Sequence, residues 1–242
     1  LVPFIIIALA IRETVPPAVV LLLGAASSLL GLGGLLMLYR ALASGQMTIA
    51  APVSALFAAL VPVIFGFFVL GAPSLATLIG FVLAFVAVWL ISQTGGADWR
   101  SPLQGLRSFA DLRLPLLSGL FFGSYFLIIH RATLNAFFWP LVAARFAGFA
   151  AFGLFALLTR QPALPPREVW ALCLVNGIID IAGNGFYVLA AQAGRIDVAA
   201  VLGALYPAST VLLAWIILKE KINGLQAFGV LLAFAAIVLF TL

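Results

Sequence analysis

Two stretches of the chain, SGQMTIAAPVSALFAAL at residues 44–60 and AGRIDVAAVLGALYPAS at residues 193–209, align without a gap at an offset of 149 residues. Both have a glycine in second place, then an Ala-Ala pair and an Ala-Leu pair. The same offset places Gly80 on Gly229, and Leu-Ala-Phe at 83–85 on Leu-Ala-Phe at 232–234. A register held across two apolar segments and the loop between them predicts an internal duplication.

The composition is that of a polytopic helical membrane protein. Hydrophobic residues make up 65% of the 242 residues, charged residues make up 8%, and the mean hydropathy is +1.28. A soluble domain has about 45–50% apolar and about 25% charged residues. The net charge of +5 would suggest nucleic acid in a soluble chain. Here the Lys and Arg residues lie mainly between apolar runs, as juxtamembrane charges do, so no nucleic-acid partner is expected.

Apolar runs alternate with short polar breaks, as expected when each run forms a spanning helix of about 20 residues. The first run, residues 1–11, is too short to span, and residues 94–112 have the Gly, Pro and charge content of a linker. Longer runs predict helices at about residues 17–43, 48–70, 75–92, 114–129, 137–158, 169–193, 198–218 and 225–242.

The duplication predicts a first repeat at residues 1–93, a linker at 94–112 and a second repeat at 113–242. The second repeat holds five predicted helices and the first about three and a half. We therefore expect about one and a half helices to precede this sequence. Because five is an odd number, the two halves insert in opposite orientations, and inverted repeats place a binding site near the bilayer midplane.

A polar stripe interrupts one apolar run, in the stretch NGIIDIAGNGFY at residues 176–187. At about 100° per residue, Asn176, Asp180, Asn184 and Tyr187 fall at about 0°, 40°, 80° and 20° around a helix. A charge in hydrocarbon costs about 2.5–3.5 kcal/mol on insertion scales. The stripe therefore predicts a face that lines a central cavity and binds substrate.

Asp180 has two interpretations. It either exchanges protons or binds a cationic group in the cavity, or it stays neutral or paired with an arginine as a link between helices. Its counterpart at the 149-residue offset is Gly31. A carboxylate present in one half only suits a binding site better than a requirement of the scaffold.

Five further residues are predicted near the site, namely Tyr125, His130, Trp139, Arg145 and Tyr206. Arg145 lies well inside its helix, where it snorkels or pairs with Asp180 or a substrate carboxylate. His130 is interfacial, or it belongs to a proton relay with Asp180. The aromatic residues form a wall of the cavity or belong to packing against lipid.

Prolines and glycines mark expected irregularities in the helices. Prolines free backbone carbonyls, and they predict interruptions at the Tyr206-Pro207 pair and at Pro52, Pro62 and Pro140. Glycines permit close helix contact or a local break. Close packing is the interpretation favoured for Gly31, Gly33, Gly34, Gly177, Gly183 and Gly185.

No catalytic or metal-binding constellation is recognised in the sequence. One histidine and one cysteine cannot form a two-histidine zinc motif. No pair of intramembrane aspartates suggests a protease, and no phosphate-binding loop suggests ATP hydrolysis. We therefore expect a protein that is not an enzyme, with no cofactor and no metal site.

The second half carries D-x-x-G-N-x-x-Y-x-x-A from Asp180, then L-Y-P at 205–207 and K-E at 219–220 before a glycine-containing last helix. With ALASGQMTIAAPVSAL in the first half, this order resembles the EamA branch of the drug/metabolite transporter (DMT) superfamily. The resemblance covers nearly the whole chain and implies a ten-helix carrier of two inverted five-helix repeats. The chain departs from the repeat at Gly71, where the second half has Glu220.

From this resemblance we expect a secondary transporter, and specifically an exporter, of small organic metabolites such as amino acids. Transport would follow alternating access, with proton coupling through Asp180 as one mechanism. The alternative is a non-transporting membrane protein, such as a lipid scramblase, or a membrane-embedded enzyme or subunit. The expected partners are a small-molecule substrate and the lipid bilayer. We expect a monomer in the bacterial inner (plasma) membrane.

Overall fold

The structure is a computed structural model that describes residues 2–44, 47–92, 112–160, 164–217, 219 and 221–241. The described residues form ten α-helices and one short 3-10 helix, and they contain no strand. The predicted linker lies outside the described residues, except for its last position. The helices are α1 (Val2–Ala10), α2 (Ala18–Ala43), α3 (Met47–Leu70), α4 (Leu75–Ile91), α5 (Arg113–Thr133), α6 (Phe138–Thr159), α7 (Trp170–Ala193), α8 (Ile196–Ala204), α9 (Tyr206–Ile217) and α10 (Gly224–Phe240).

Six segments among the described residues are long and apolar enough to cross a membrane. They are Ala18–Ala43, Ala50–Leu70, Arg113–Thr133, Phe138–Thr159, Arg167–Ala193 and Ile196–Ile217. The apolar helices α4 and α10 are shorter, with 17 residues each. The predicted all-helical membrane fold is thus confirmed, since every predicted apolar run is helical over nearly all of its described residues.

The helix predicted over residues 198–218 is in fact two helices, α8 and α9, separated at Leu205. Leu205 has φ −77° and ψ 8°, and its N–H donates to the Leu202 carbonyl at 3.2 Å, which is a tighter turn than an α-helix. Pro207 explains the break because proline has no N–H for the helical ladder. The interruption predicted at Tyr206-Pro207 is therefore confirmed.

The interruptions predicted at the other prolines are wrong. Helix α3 continues through both Pro52 and Pro62. Pro140 lies in the first turn of α6, where the missing N–H would have no helical partner in any case. Of these four prolines, only Pro207 lies beside a helix break in the described residues.

The chain divides into two compact units, and each draws on both halves of the sequence. Unit 1 comprises Leu1–Leu32 and Tyr125–Ala193. Its core contains Phe4 of α1, Ile129 of α5, Leu141 of α6 and Val188 of α7.

Glycine and a carboxylate hold the elements of unit 1 close together. Gly24 of α2 lies against the backbone of Pro140 in α6, so a larger residue there would collide with backbone atoms. Glu13, just after α1, accepts hydrogen bonds from the N–H groups of Phe137, Phe138 and Trp139 at 2.6–3.1 Å. A carboxylate is favourable there because the first N–H groups of a helix have no internal partner.

Unit 2 comprises Gly33–Ser124 and Gly194–Leu242, and its main contact is that of α4 with α10. A Cβ atom added to Gly80 of α4 would lie 2.6 Å from the Phe240 ring of α10. A Cβ atom added to Gly229 of α10 would lie 2.8 Å from Ile91 of α4. The two contacts are equivalent at the 149-residue offset. Gly80 corresponds to Gly229, and Ile91 corresponds to Phe240, so adding 149 to the α4 residue of one contact gives the α10 residue of the other.

Small residues also join α2, α3 and α5 within unit 2. Ser118 of α5 donates to the Gly34 carbonyl of α2 at 2.8 Å and shares a hydrogen bond of 2.9 Å with Ser54 of α3. On the same helix, Gly119 and Gly123 lie against α3, where an added Cβ would be 2.5–2.6 Å from the nearest atoms. Closely packed small residues with buried hydroxyls between them are typical of helix contacts in membranes.

The predicted role of the glycines in packing holds for one group and fails for the other. Gly31, Gly33 and Gly34 of α2 lie within contact distance of α5. Gly177, Gly183 and Gly185 of α7 would meet no described atom within 4 Å if a Cβ were added, and α7 continues through them without a break.

Candidate functional site

The site in unit 1 is built around an ion pair between two spanning helices. The guanidinium Nη1 of Arg145, on α6, lies 2.5 Å from Oδ2 of Asp180, on α7. The two side chains keep 31% and 49% of their surface exposed, respectively. Of the alternatives open for Arg145, pairing with Asp180 is the one that the structure shows. Since neither charge is fully buried, the pair can be reached by a ligand.

An asparagine and a tyrosine extend this ion pair to a third helix. The Nδ2 group of Asn184 donates to the Asp180 carbonyl at 2.7 Å and to its Oδ1 at 3.2 Å. The hydroxyl of Tyr125, on α5, donates to Oδ1 of Asn184. We refer to Tyr125, Arg145, Asp180 and Asn184 as the polar cluster. Its side chains form one chain of charge-assisted and neutral hydrogen bonds, in which each group orients the next.

A cavity of about 40 Å³ lies beside the polar cluster. This space is large enough for a few water molecules but too small for a metabolite. Binding of a larger ligand in this place therefore requires the ion pair to separate. The cavity is lined by Ser28, Tyr125, Ile129, Leu141, Ala144, Arg145 and Asn184.

Two glycines leave room for these side chains. A Cβ added to Gly31 of α2 would lie 3.4 Å from Cδ2 of the Tyr125 ring. A Cβ added to Gly148 of α6 would lie 2.7 Å from the hydroxyl of Ser28, which lines the cavity. Gly31, the counterpart of Asp180 at the repeat offset, thus lies beside the ring of Tyr125, whose hydroxyl binds Asn184.

The residues of the polar stripe of α7 do not share one set of partners. Asp180 and Asn184 belong to the polar cluster, whereas Tyr187 donates its hydroxyl to the Phe126 carbonyl of α5 at 3.2 Å. The Tyr187 and Phe126 rings also stack, with centroids 4.5 Å apart. Asn176, one turn before Asp180, is exposed and lies outside the polar cluster. Helical periodicity identified the face but could not say which of its members meet.

A comparison with protein-family models identifies the family of the chain. The model of the EamA-like transporter family matches residues 112–242, which are more than half of the sequence. The chain belongs to the EamA-like transporter family. The resemblance seen in the sequence is thereby confirmed, and with six candidate spans the chain is an integral multi-pass membrane protein of the DMT superfamily. The family is one of transporters and not of enzymes. A search of the curated proteins gives no match.

Two of the other predicted site residues of this EamA-like transporter lie in unit 1, outside the polar cluster. The indole N–H of Trp139 donates to the Glu13 carbonyl at 3.0 Å, which ties the end of α1 to the start of α6. His130, near the end of α5, has a buried Nδ1 atom with no hydrogen-bond partner among the described residues. Tyr206 belongs to unit 2, where it lines a second cavity.

Unit 2 of the EamA-like transporter contains a second ion pair, which was not predicted from the sequence. The side chain of Asp197, in the first turn of α8, is 1% exposed, and its Oδ2 lies 2.8 Å from Nη2 of Arg195. The same Nη2 donates to the carbonyl of Gly71, which has a φ of +82° that favours glycine. Because the two charges are only two positions apart in the sequence and follow a helix end, they resembled those of an ordinary polar loop.

Glu13 was missed for a different reason. Its partners are the N–H groups of residues 137–139, more than 120 positions further along the chain. No local pattern links a carboxylate after one helix to the first turn of a distant one. Within the described ranges, no three His, Cys, Asp or Glu side chains lie together as a metal site would require.

Proposed function

We propose that this chain is a secondary transporter of small organic metabolites such as amino acids, and that the polar cluster of unit 1 binds the substrate. The observation that carries the proposal is the accessible Arg145–Asp180 pair within two spanning helices. Isolated charges are costly in hydrocarbon, and they are rare there unless they serve a pathway or a ligand.

The chemistry of the pair suits a molecule with an acidic and a basic group. The guanidinium of Arg145 can bind a carboxylate in a bidentate manner, and the carboxylate of Asp180 can bind an ammonium group. An amino acid carries both groups, so it can replace the partner of each residue when the pair separates. The exchange avoids the cost of leaving one desolvated charge unpaired.

Asp180 also provides a route for proton coupling. Protonation of its carboxylate would remove the negative charge that binds the ammonium group of the substrate. Substrate binding and proton binding would then compete for the same carboxylate, which is the arrangement that an exchanger needs. Under an inward proton gradient, this competition drives the substrate outward, so we propose export by alternating access.

Proteoliposomes containing the full chain test this proposal. Labelled amino acids are loaded inside or outside, a pH gradient is imposed, and the flux is compared for the wild-type chain and for Asp180→Asn. We expect saturable flux that depends on the gradient in the wild type, and flux that does not depend on it in the variant. Unchanged pH dependence in Asp180→Asn would exclude coupling through this residue. An absence of flux for every amino acid tested would exclude this substrate class.

A matched arginine variant separates binding from general damage. Arg145→Gln removes the proposed carboxylate ligand, whereas Arg131→Gln changes an exposed arginine at the end of α5. We expect the apparent affinity to fall for Arg145→Gln alone. Equal losses in both variants, with normal expression, would contradict a specific role for Arg145.

We further propose a ten-helix architecture of two inverted repeats, divided at residues 94–112, in a monomer of the bacterial inner membrane. The reciprocal contacts of Gly80 with Phe240 and of Gly229 with Ile91 support it, because a two-fold relation between halves produces such pairs. Labelling of single cysteines on the two sides of the membrane tests the inversion. Equivalent positions of the two halves should be accessible from opposite sides.

A further inference from the structure

A cavity of about 320 Å³ lies in unit 2, at the break between α8 and α9 and beside α10. Leucines of α8 and α9 line one side of it, and Val230, Phe234 and Ile237 of α10 line the other. Its lining contains no charged residue among those described. The volume is within the range of about 300–1,000 Å³ that is usual for small-molecule sites.

The helix break leaves a backbone acceptor without its helical donor at a residue that lines this cavity. Gly203 lines the cavity, and because it has no side chain, its contribution to the wall is backbone. In a continuous helix, the carbonyl of residue 203 would accept the N–H of residue 207. Residue 207 is proline and has no N–H. The Gly203 carbonyl is thus without its helical donor.

Two residues with hydroxyl groups line the cavity near Gly203. Tyr206 and Ser209 follow Gly203 at intervals of three residues, line the same cavity and are exposed. All three positions lie in the middle of the candidate span Ile196–Ile217. A backbone acceptor at that depth costs several kcal/mol if nothing donates to it. A donor from water or from a ligand is therefore needed in this place.

We propose that this cavity is a binding site for a neutral amphiphile, namely a small molecule with an apolar body and one O–H or N–H donor. The apolar walls bind the body, and the Gly203 carbonyl accepts the donor. An ionised ligand is disfavoured because no described residue of the lining carries a compensating charge. The site goes beyond the proposed transport function, since it lies in unit 2 and contains none of the polar cluster.

The test uses two probes that differ only in the donor, 4-butylphenol and its methyl ether, 4-butylanisole. Saturable binding to the full chain in nanodiscs is measured by equilibrium dialysis, with empty nanodiscs giving the contribution of partition into lipid. We expect the phenol to bind about 3- to 10-fold more tightly than the ether, as one net hydrogen bond allows. Equal affinities, or no saturable binding of the phenol, would overturn the proposal.

Pro207→Ala tests the origin of the donor preference. The variant restores an N–H that can close the helical hydrogen bond to Gly203, so the preference for the phenol should fall to about 1-fold. Pro62→Ala makes the same change inside α3, away from the cavity, and should keep the preference. A preference that survives in Pro207→Ala would show that the Gly203 carbonyl is not the acceptor.

A second pair of variants tests the location. Ser209→Phe places a large side chain at the cavity, whereas Thr210→Phe does so at a neighbouring position that is also exposed but does not line it. We expect Ser209→Phe to weaken binding of both probes by about 10-fold or more, and Thr210→Phe to leave it unchanged. Saturable binding that is the same in both variants would place the ligand elsewhere, for instance at the lipid-facing surface. Thr210→Phe should also leave the flux of amino acids through the polar cluster normal.

Discussion

The contact of α4 with α10 in unit 2 uses the two halves of the sequence in the same way, whereas the polar cluster in unit 1 uses them differently. Gly80 packs against Phe240 and Gly229 packs against Ile91, so each half supplies the same glycine and the same kind of large partner. In the polar cluster, one half supplies Asp180. The other half has only a glycine at the equivalent position.

The difference follows from what each contact requires. Two related helices that pack against one another both need a small residue where the backbones approach, so the requirement applies to both copies. A buried or half-buried charge needs one opposite partner, and a second carboxylate at Gly31 would meet the ring of Tyr125 and not Arg145. The packing contact can therefore use equivalent residues of both halves, whereas the polar cluster needs its carboxylate in one half only.

The largest effect is expected when the asymmetric pair is broken. Arg145→Ala removes the proposed ligand of the substrate carboxylate, and truncation of one partner of a close charge pair costs about 2–5 kcal/mol when the pair is buried. Because both side chains are partly exposed, we expect the lower end, a loss of about 30-fold in apparent substrate affinity. Flux in proteoliposomes measures this effect.

The double variant Gly31→Asp/Asp180→Gly extends this test by moving the carboxylate to the other half of the sequence. We expect no recovery of transport relative to Asp180→Gly alone, because residue 31 faces Tyr125. Recovered transport would mean that the two halves are interchangeable at the site and that the asymmetry of the polar cluster is not required.

Breaking the symmetric contact should have an intermediate effect on stability. Gly80→Leu and Gly229→Leu each force a side chain into an occupied space, and overpacking costs about 1–3 kcal/mol. For a chain of this size, we expect the thermal midpoint in detergent to fall by about 2–10 °C, by similar amounts in both variants. Gly153→Leu is the matched control, since an added Cβ there meets no described atom within 4 Å. Strongly unequal losses would argue against a two-fold relation between α4 and α10.

A smaller effect is expected at Gly31. Gly31→Ala places its Cβ at an ordinary contact distance of 3.4 Å from Tyr125 and should be tolerated. Gly31→Leu crowds the ring and should disturb the hydrogen bond of Tyr125 with Asn184, worth about 0.5–1.5 kcal/mol, which corresponds to a 2- to 10-fold weaker affinity. The apparent affinity from flux measurements distinguishes the two. If both variants behave like the wild type, Tyr125 does not orient the polar cluster.

The smallest effect, and one of opposite sign, is expected at the open glycines of α7. Gly177→Ala and Gly185→Ala add a methyl group where no described atom lies within 4 Å. Alanine stabilises a helix interior by about 0.5–1 kcal/mol relative to glycine. The thermal midpoint should therefore rise by about 1–4 °C. A lower midpoint would show that these glycines pack against a partner after all.

Much of the fold could be predicted from the sequence because it depends on local composition. Runs of about 20 apolar residues must become helices in a bilayer, and the helices lie where the runs are. The break at Pro207 was also predictable, since it depends on a missing N–H. The continuity of α3 through Pro52 and Pro62 was not, because the neighbouring helices determine whether the freed carbonyls can be tolerated.

For the site, helical periodicity was sufficient to place Asp180, Asn184 and Tyr187 on one face of α7, because that face depends only on the rotation per residue. It could not tell that Tyr187 would anchor to Phe126 while Asp180 paired with Arg145, 35 positions earlier in the chain. Nor could it connect Glu13 to the first turn of α6. The sequence by itself thus determined the membrane environment and the helices, which follow from local hydropathy, and its repetition predicts the duplication. Only the tertiary structure decided which polar groups became partners, because that choice depends on how distant helices pack.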